Sequence, residues 1–293
     1  MRELKAHQPS MTIDEHIGNL KSKGLIIEDE EKAKSFLNDV SYFRLVKAYS
    51  LGLKVKNEKY NEGVRFEDIV GRYLFNANLR QIVLVQIEKV EINFRCRLAN
   101  YFSDKYGVLG YEDINNFAVP EKIFNPFYED MLKELSRNAK SPFVLNFREN
   151  YVDGKIPLYA LVELFSFGTL SKFYKNMKNE DKKAVAKIYG VSYTYFGSWI
   201  ENVAFVRNVC AHYGRIYNIK FPKAPKLYKR YSEKGIKNYR LFATLLTLKH
   251  LLPNDQQWLN FVDNIELLFE KYSNIKLDFI DFPTNWKEYL TQL

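Results

Sequence analysis

The stretch Ala204-Phe-Val-Arg-Asn-Val-Cys-Ala-His-Tyr-Gly-Arg-Ile-Tyr-Asn218 contains two arginines, one histidine and two asparagines within twelve residues. We predict that it belongs to a helix covering residues 193–217. On such a helix Asn208, His212 and Arg215 recur at i, i+4 and i+7, and therefore lie along one face. We interpret this helix as the carrier of the functional site, within a chain whose other periodic segments are also helical.

The chemistry of this stretch suits a phosphate substrate. Arg207 lies five residues before His212, about 140° around the helix axis, so its long side chain must curl to reach the same patch. An imidazole can accept and donate a proton near neutral pH, and an arginine offers paired donors to phosphate oxygens. With RNA as substrate the 2′-hydroxyl is a built-in nucleophile, so we expect neither a metal nor another cofactor.

The spacing alone is a weak signal. Arg2 and His7 repeat it near the N-terminus. From composition, His212 is equally well interpreted as a buried, hydrogen-bonded core histidine or as a catalytic residue.

The wider pattern is more specific. Arg207-Asn208-x-Cys210-Ala211-His212-x-x-Arg215-x-x-Asn218 closely resembles the active-site motif of AbiD/AbiF-type abortive-infection proteins, bacterial members of the HEPN superfamily. Similar blocks occur in the same order along the chain, at residues 40–46, 73–80, 87–92, 156–171 and 198–200. One departure is Asn76, where the family pattern has an aspartate, so this chain offers no carboxylate at that position.

This resemblance implies an all-α, HEPN-like helical bundle and a metal-independent endoribonuclease. Arg207 and His212 would be catalytic, supported by Asn208, Arg215 and Asn218. HEPN nucleases bring two copies of the motif together, so it also implies a homodimer with a shared cleft. A toxic effector of this kind implies restraint, for AbiF-like proteins by a small non-coding RNA that the protein binds.

Two alternatives to the nuclease remain at this stage. One is an RNA-binding protein whose HEPN-like site no longer cuts, and the other is a different phosphate chemistry on the same scaffold, such as nucleotide transfer onto a protein.

Composition favours a polyanionic partner. The 293 residues carry a net charge of +9, with a sequence pI near 9.2, which suits nucleic acid or an acidic membrane surface. No run of 18 apolar residues and no signal peptide are found, so we expect a cytoplasmic protein without a membrane partner. Cys96 and Cys210 have neither disulfide-framework nor metal-site spacing, and both are predicted to be small buried residues.

Along the chain we predict an N-terminal helical hairpin in residues 1–62 and a helical bundle in residues 63–293. The hairpin opens with a capping box at residues 12–15, and its second helix is expected to run from Asp29 through Leu45. It is either a packing unit or a nucleic-acid-reading helix-turn-helix. Principal helices of the bundle are expected at residues 66–106, 157–178, 193–217 and 240–252, followed by an additional C-terminal helix at 258–272. The first of them is long enough to need a kink or break, for which Gly71 is one candidate position, and the second is expected to break or bend at residues 166–168.

Three carboxylates are candidates for orienting the arginines of the site. Glu88 and Glu91 lie on the first long helix, and either they face Arg207 or Arg215 or they belong to a solvated surface. Glu163 lies on a largely apolar helix, where we expect it to pair with one of the same two arginines or to be a plain surface residue.

Residues 220–240 form a segment that we call the basic strip. It contains eight lysines and arginines against the single acid Glu233, with tyrosines between them. Basic residues interleaved with aromatics suit single-stranded RNA, through phosphate contacts and base stacking. The strip is either a solvated loop or an RNA-binding surface, and its candidate RNA-binding residues are Lys223, Lys226, Tyr228, Lys229 and Arg230.

Overall fold

The computed structural model describes residues 9–55, 59–253 and 255–292. Within these ranges the regular structure is helical and no β-strand forms, so the all-α prediction is confirmed. The HEPN-like arrangement of the helices remains a prediction, and so does the division at residue 62. Two compact units are present, one up to Asn78 and the other from Leu79.

The first unit contains a pair of short helices and one π-helical turn: α1 (Ile13–Ser22), α2 (Glu30–Asp39) and the turn Phe43–Lys47. The predicted capping box opens α1, because the Thr12 hydroxyl accepts a bond from the Glu15 N–H while the Glu15 carboxylate accepts one from the Thr12 N–H. Gly24 follows the end of α1 with φ +85°, a conformation that glycine adopts without strain. Arg2 and His7 lie outside the described residues.

The second helix is shorter than predicted. It ends at Asp39 instead of continuing through Leu45, because the backbone of Val40 is extended, with φ −124° and ψ 103°. The Ser41 hydroxyl then accepts a hydrogen bond from the Arg44 N–H at 3.3 Å, which supports a new turn.

Helix α3 (Phe66–Tyr106) runs for 41 residues without a break, so of the kink or break predicted for it, with Gly71 as one candidate position, the break is wrong. A glycine costs a helix only about 1 kcal/mol relative to alanine. That cost is outweighed by the apolar side chains buried along α3 at helical spacing, among them Leu79, Val83, Ile87 and Phe94. The helix belongs to both units, since their division falls between its residues Asn78 and Leu79.

Besides short 3-10 turns, the second unit holds ten further α-helices within its described residues: α4 (Glu121–Arg137), α5 (Pro142–Asn150), α6 (Leu158–Leu161), α7 (Phe167–Asn176), α8 (Asn179–Ile188), α9 (Tyr193–Ala211), α10 (Lys229–Ser232), α11 (Leu241–Leu251), α12 (Gln256–Lys271) and α13 (Trp286–Thr291). The element predicted at residues 157–178 is divided as expected. Ser166 caps α7 by accepting a bond from the Thr169 N–H at 3.1 Å.

Helix α9 lies at the centre of the second unit and packs against α7, α8 and α11. Its Phe196 ring contacts Phe94 and Tyr174, with ring centroids 5.7 and 5.1 Å apart. Aromatic contacts of this kind fix the helix in a densely packed core. In the part of the chain that the structure describes, no helix is both long and apolar enough to cross a bilayer.

A buried carboxylate joins α8 to the end of α3. Asp181 is fully buried and accepts hydrogen bonds from Lys105 at 2.6 Å, Tyr106 at 2.7 Å and Tyr101 at 2.8 Å. Burial opposes ionisation of this carboxyl, but the three hydrogen bonds outweigh burial and hold the pKa of Asp181 below its usual value. The ionised group therefore stabilises the fold.

We predict that Asp181→Asn lowers the free energy of unfolding at pH 7 by about 2 kcal/mol, because charged hydrogen bonds are lost in a buried site. Since the pKa is lower in the folded chain, this contribution is present above the unfolded value of about 3.9 and is lost as pH falls below it. Melting temperatures of the wild type and the variant should therefore converge at acid pH. Glu180→Gln, which removes an exposed partner of the same lysine, is the control and should have little effect.

Candidate functional site

Helix α9 ends six residues earlier than predicted, at Ala211, and His212 is its C-cap. Tyr213 takes a left-handed conformation with φ +59° and donates its N–H to the Cys210 carbonyl, while Gly214 donates to the Val209 carbonyl at 2.8 Å. These two bonds are the Schellman arrangement that ends a helix. The prediction that Arg215 continues the face of Asn208 and His212 on one helix is therefore wrong.

A glycine is required just after the left-handed residue. A Cβ at Gly214 would lie 2.7 Å from Cγ1 of Val209 and 3.0 Å from its carbonyl oxygen. Because Val209 is β-branched and belongs to the same helix end, it has little freedom to move away. The sequence Tyr213-Gly214 thus fixes where α9 stops and where His212 lies.

The side chain of Arg80 on α3 stabilises this turn by hydrogen bonds to its backbone. The side chain is buried, and its Nη1 donates to the carbonyl oxygens of Tyr213 and Gly214, both at 3.3 Å. A guanidinium next to the last carbonyls of a helix is electrostatically favourable. In the first unit, Asn76 is fully buried and donates its amide to the Tyr49 hydroxyl at 2.9 Å, a bond that an ionised aspartate could not donate.

His212 is exposed, so its interpretation as a buried core histidine is wrong. No side chain or backbone group of the described residues bonds to its imidazole. Asn208, one turn earlier on α9, is exposed as well, and its carbonyl accepts the His212 N–H at 3.0 Å. The imidazole and the amide are thus presented to solvent at the end of a rigid helix.

Arg207 is anchored by a buried carboxylate. Its Nε lies 3.1 Å from one oxygen of Glu91, and the other oxygen of Glu91 lies 3.2 Å from Nη2 of Arg95. Arg95 also donates to the Phe165 carbonyl at 2.9 Å. Glu91 and Arg95 are buried, whereas the Arg207 side chain is 35% exposed. The terminal amino groups of Arg207 have no partner among the described residues and remain available to a ligand.

The other candidate carboxylates take no part in this arrangement. Glu88 and Glu163 are exposed, and Glu163 forms no ion pair within the described part of the chain. Of the alternatives left open by the sequence, Glu91 is therefore the orienting group and Glu163 is a surface residue. Arg215 is partly buried, and Asn218 has φ +48°, a conformation that asparagine adopts more readily than most residues.

The sequence did not point to two groups that complete the site. Arg95 supports Glu91 from behind, and Arg80 fixes the helix end. The only available signal was their position, because both arginines lie among the apolar residues that α3 buries, where an unpaired guanidinium is rare.

The basic strip is attached to α9 mainly through its backbone. The indole N–H of Trp199 donates to the Lys226 carbonyl at 2.7 Å, and the amide of Asn202 donates to the Lys223 carbonyl at 2.6 Å. The Lys226 N–H in turn donates to the Ser198 hydroxyl at 3.0 Å. These three bonds use the main chain of the strip, so they do not depend on which side chains residues 223 and 226 carry.

The candidate RNA-binding side chains of the strip differ in their surroundings. Lys226, Lys229 and Arg230 are exposed, and exposed Lys223 pairs with Glu201 at 2.6 Å. Tyr228 is half-buried against the rings of α9 and α11, with centroid distances of 4.7 Å to Tyr195, 5.4 Å to Trp199 and 5.0 Å to His250. Burial raises its pKa. Much of this ring is used in packing and is not open for base stacking.

The two cysteines are not alike. Cys210 is buried as predicted, and burial raises the pKa of its thiol to about 12, which keeps it protonated. Cys96 is exposed, so the prediction that it is buried is wrong. Cys96 lies on the solvent-facing side of α3. The spacing of apolar residues along the helix did not by itself show that this position faces solvent.

We predict that Glu91→Ala lowers the free energy of unfolding by about 3 kcal/mol, because it leaves the buried guanidinium of Arg95 without its carboxylate. Thermal or denaturant unfolding measures the change. Glu88→Ala is the matched control, since it removes an exposed carboxylate one turn earlier on the same helix and should stay within about 0.5 kcal/mol of wild type. Equal stability of the two variants would contradict the structural role given to Glu91.

Residues 35–218 match the sequence profile of a family described as Abi-like protein. The match covers more than half of the chain and includes α9, Arg207 and His212. No curated protein and no solved structure gives a match. The similarity to abortive-infection proteins is thereby confirmed at the level of the family: this chain belongs to the Abi-like protein family, which indicates a role in abortive infection.

Proposed function

We propose that this Abi-like protein is a metal-independent endoribonuclease of the HEPN type, with Arg207 and His212 as its catalytic residues. The observation that carries the proposal is the end of α9. There the exposed imidazole of His212 follows the guanidinium of Arg207, which Glu91 holds through Nε. Among the described residues neither the imidazole nor the terminal amino groups of Arg207 have a partner, so both are open to a phosphate substrate.

In this mechanism the His212 imidazole takes the proton of a ribose 2′-hydroxyl. The oxygen attacks the adjacent phosphorus, the bond from phosphorus to the 5′-oxygen breaks, and the leaving oxygen takes up a proton. The products carry a 2′,3′-cyclic phosphate and a 5′-hydroxyl. Arg207 stabilises the negative charge that builds up on the phosphate oxygens, while Asn208, Arg215 and Asn218 line the approach to it.

A second copy of the chain completes the proposed site. The base and the acid act on opposite sides of the phosphorus, and one histidine is a poor source of both at once. A twofold axis near His212 would supply the second imidazole. Exposed Val85 and Ile92 support this seam, because they are seven residues apart on one face of α3 and Ile92 follows Glu91 directly.

We propose that this effector acts in the cytoplasm of its own cell. Its activity must therefore be restrained there until it is needed. We propose that a small non-coding RNA binds to the basic strip. The exposed side chains of Lys226, Lys229 and Arg230 support this assignment.

A second candidate is an RNA-binding protein that does not cut. It is favoured by the attachment of the basic strip to α9 through main-chain bonds, because a strip held in this way could bind RNA without any contribution from His212.

We predict that wild-type chain degrades RNA in the presence of EDTA, leaving cyclic phosphate and 5′-hydroxyl ends. His212→Ala and Arg207→Ala should each reduce the cleavage rate by at least about a hundredfold, because proton transfer or charge stabilisation is lost. Rates and end groups are measured on purified protein and a defined RNA.

Arg137→Ala is the control for these variants, since it removes an exposed arginine of α4 and should leave the rate unchanged. Equal cleavage by wild type and His212→Ala, or cleavage abolished by EDTA, would remove the proposed mechanism. Equal RNA retention by all the variants without any cleavage would favour the second candidate.

We predict that the protein is a homodimer in solution, with twice the chain mass of 34.7 kDa. Ile92→Lys should weaken self-association at least about tenfold and reduce cleavage with it, because an unpaired ammonium would be buried at the seam. Light scattering across a concentration series measures the mass. The matched control is Ile123→Lys on α4, which adds the same charge at another exposed isoleucine. A monomeric wild type would rule out the proposed dimer. A dimer that Ile92→Lys leaves intact would show that Ile92 is not part of its interface.

A further inference from the structure

A small cavity lies between α10, α11 and α13, and its lining is rich in positive charge. Arg230 and Lys234 come from the basic strip, Lys249 comes from α11, and Glu288 is the one acidic side chain in the described lining. The volume is about 140 Å³. This is below the roughly 300 Å³ at which cavities for whole small-molecule ligands begin. It suits one compact charged group instead of a complete nucleoside.

Lys249 is the most unusual of these cations, because it is 7% exposed and pairs with no carboxylate of the described residues. Its ammonium donates to the carbonyl oxygen of Tyr289 at 2.7 Å and to that of Gln292. Carbonyl dipoles near the end of α13 compensate part of the charge. Buried charges in proteins are usually paired with an opposite charge, whereas within the described part of the chain Lys249 is bonded only to carbonyl oxygens.

The two outer cations are held in place by aromatic rings. The Arg230 guanidinium lies 5.0 Å from the ring centroid of Tyr231 and donates to its hydroxyl at 3.3 Å. The Lys234 ammonium lies 5.4 Å from the ring centroid of Tyr289. Neither forms an ion pair within the described residues. Rings attract cations without neutralising them, so three positive charges converge here with a single negative one.

The surrounding groups respond to this excess of positive charge. Burial, followed by the charge of Arg230, lowers the pKa of Lys249. Burial, followed by Arg230 and Lys249, lowers the pKa of His250 to about 4. An anion in the cavity would offset the repulsion that contributes to both effects.

We propose that the cavity between Arg230, Lys234 and Lys249 binds a phosphoryl group, either that of an RNA strand or that of a small phosphate compound. Arg230 offers paired donors, and the two ammonium groups act as point charges. This binding site does not include Arg207 or His212, and it stands whether or not the chain cuts RNA.

The first test uses inorganic phosphate and the full chain at constant ionic strength. Phosphate should raise the melting temperature of the wild type saturably, whereas chloride should not. Arg230→Gln and Lys234→Gln remove exposed side chains and should fold normally, and each should weaken phosphate binding about tenfold. Lys271→Gln on α12 removes the same charge outside the cavity and should behave like wild type. A response that chloride reproduces, or one that is equal in all four proteins, would overturn the proposal.

A second test identifies the source of the phosphoryl group. Binding of one short single-stranded RNA, with and without a 5′-phosphate, is measured on the His212→Ala chain so that cleavage cannot interfere. A loss on adding Lys234→Gln that is confined to the phosphorylated strand assigns a terminal phosphate. An equal loss for both strands assigns an internal phosphodiester. A response to inorganic phosphate alone assigns a small phosphate compound, and no response in either test refutes the site.

Discussion

The arrangement at the end of α9 depends on one buried carboxylate between two guanidinium groups. Glu91 is the connection through which α3 positions Arg207, and Arg95 prevents that carboxylate from facing a single cation in a low-dielectric environment. An isolated charge at this depth would be costly, whereas the bonded set satisfies both carboxylate oxygens. Because Arg95 also bonds to the Phe165 carbonyl, the segment before α7 is tied to the same set.

A second constraint fixes the histidine. Helix α9 is held on its inner side by aromatic packing, and its last turn is closed by Gly214 and by the bonds from Arg80. Arg80 and Arg95 of α3 therefore have different tasks: Arg80 fixes the turn at which α9 ends, and Arg95 supports the carboxylate that orients Arg207. Their common origin on one uninterrupted helix keeps the imidazole and the guanidinium in a defined relation.

Local sequence rules predicted much of the fold. Apolar periodicity located α3, α7, α9, α11 and α12, and the capping pattern at Thr12 and Glu15 located the start of α1. The end of α9 was misplaced because the left-handed position is held by Tyr213, where glycine is the usual signal, and the glycine follows one residue later. The break expected at Gly71 did not occur, because a penalty of about 1 kcal/mol is small against the burial along α3.

The site itself was only partly predictable. The residue types of α9 indicated phosphate chemistry, but the choice between Glu88, Glu91 and Glu163 depends on how the helices pack, which spacing within one helix does not determine. The same limit applies to Tyr228. The sequence around a tyrosine between lysines looks the same whether its ring packs into the core or faces solvent. Exposure and long-range contacts decide both questions.

The attachment of the basic strip through its carbonyl groups has an evolutionary consequence. Trp199 and Asn202 donate hydrogen bonds to main-chain carbonyl groups of the basic strip. Replacing a lysine in the strip therefore changes the surface charge but leaves these bonds to α9 in place. The pattern of cations can drift from one lineage to the next while the helix beside it stays the same. A segment attached in this way can acquire a new charge pattern by single substitutions while the core beneath it stays intact.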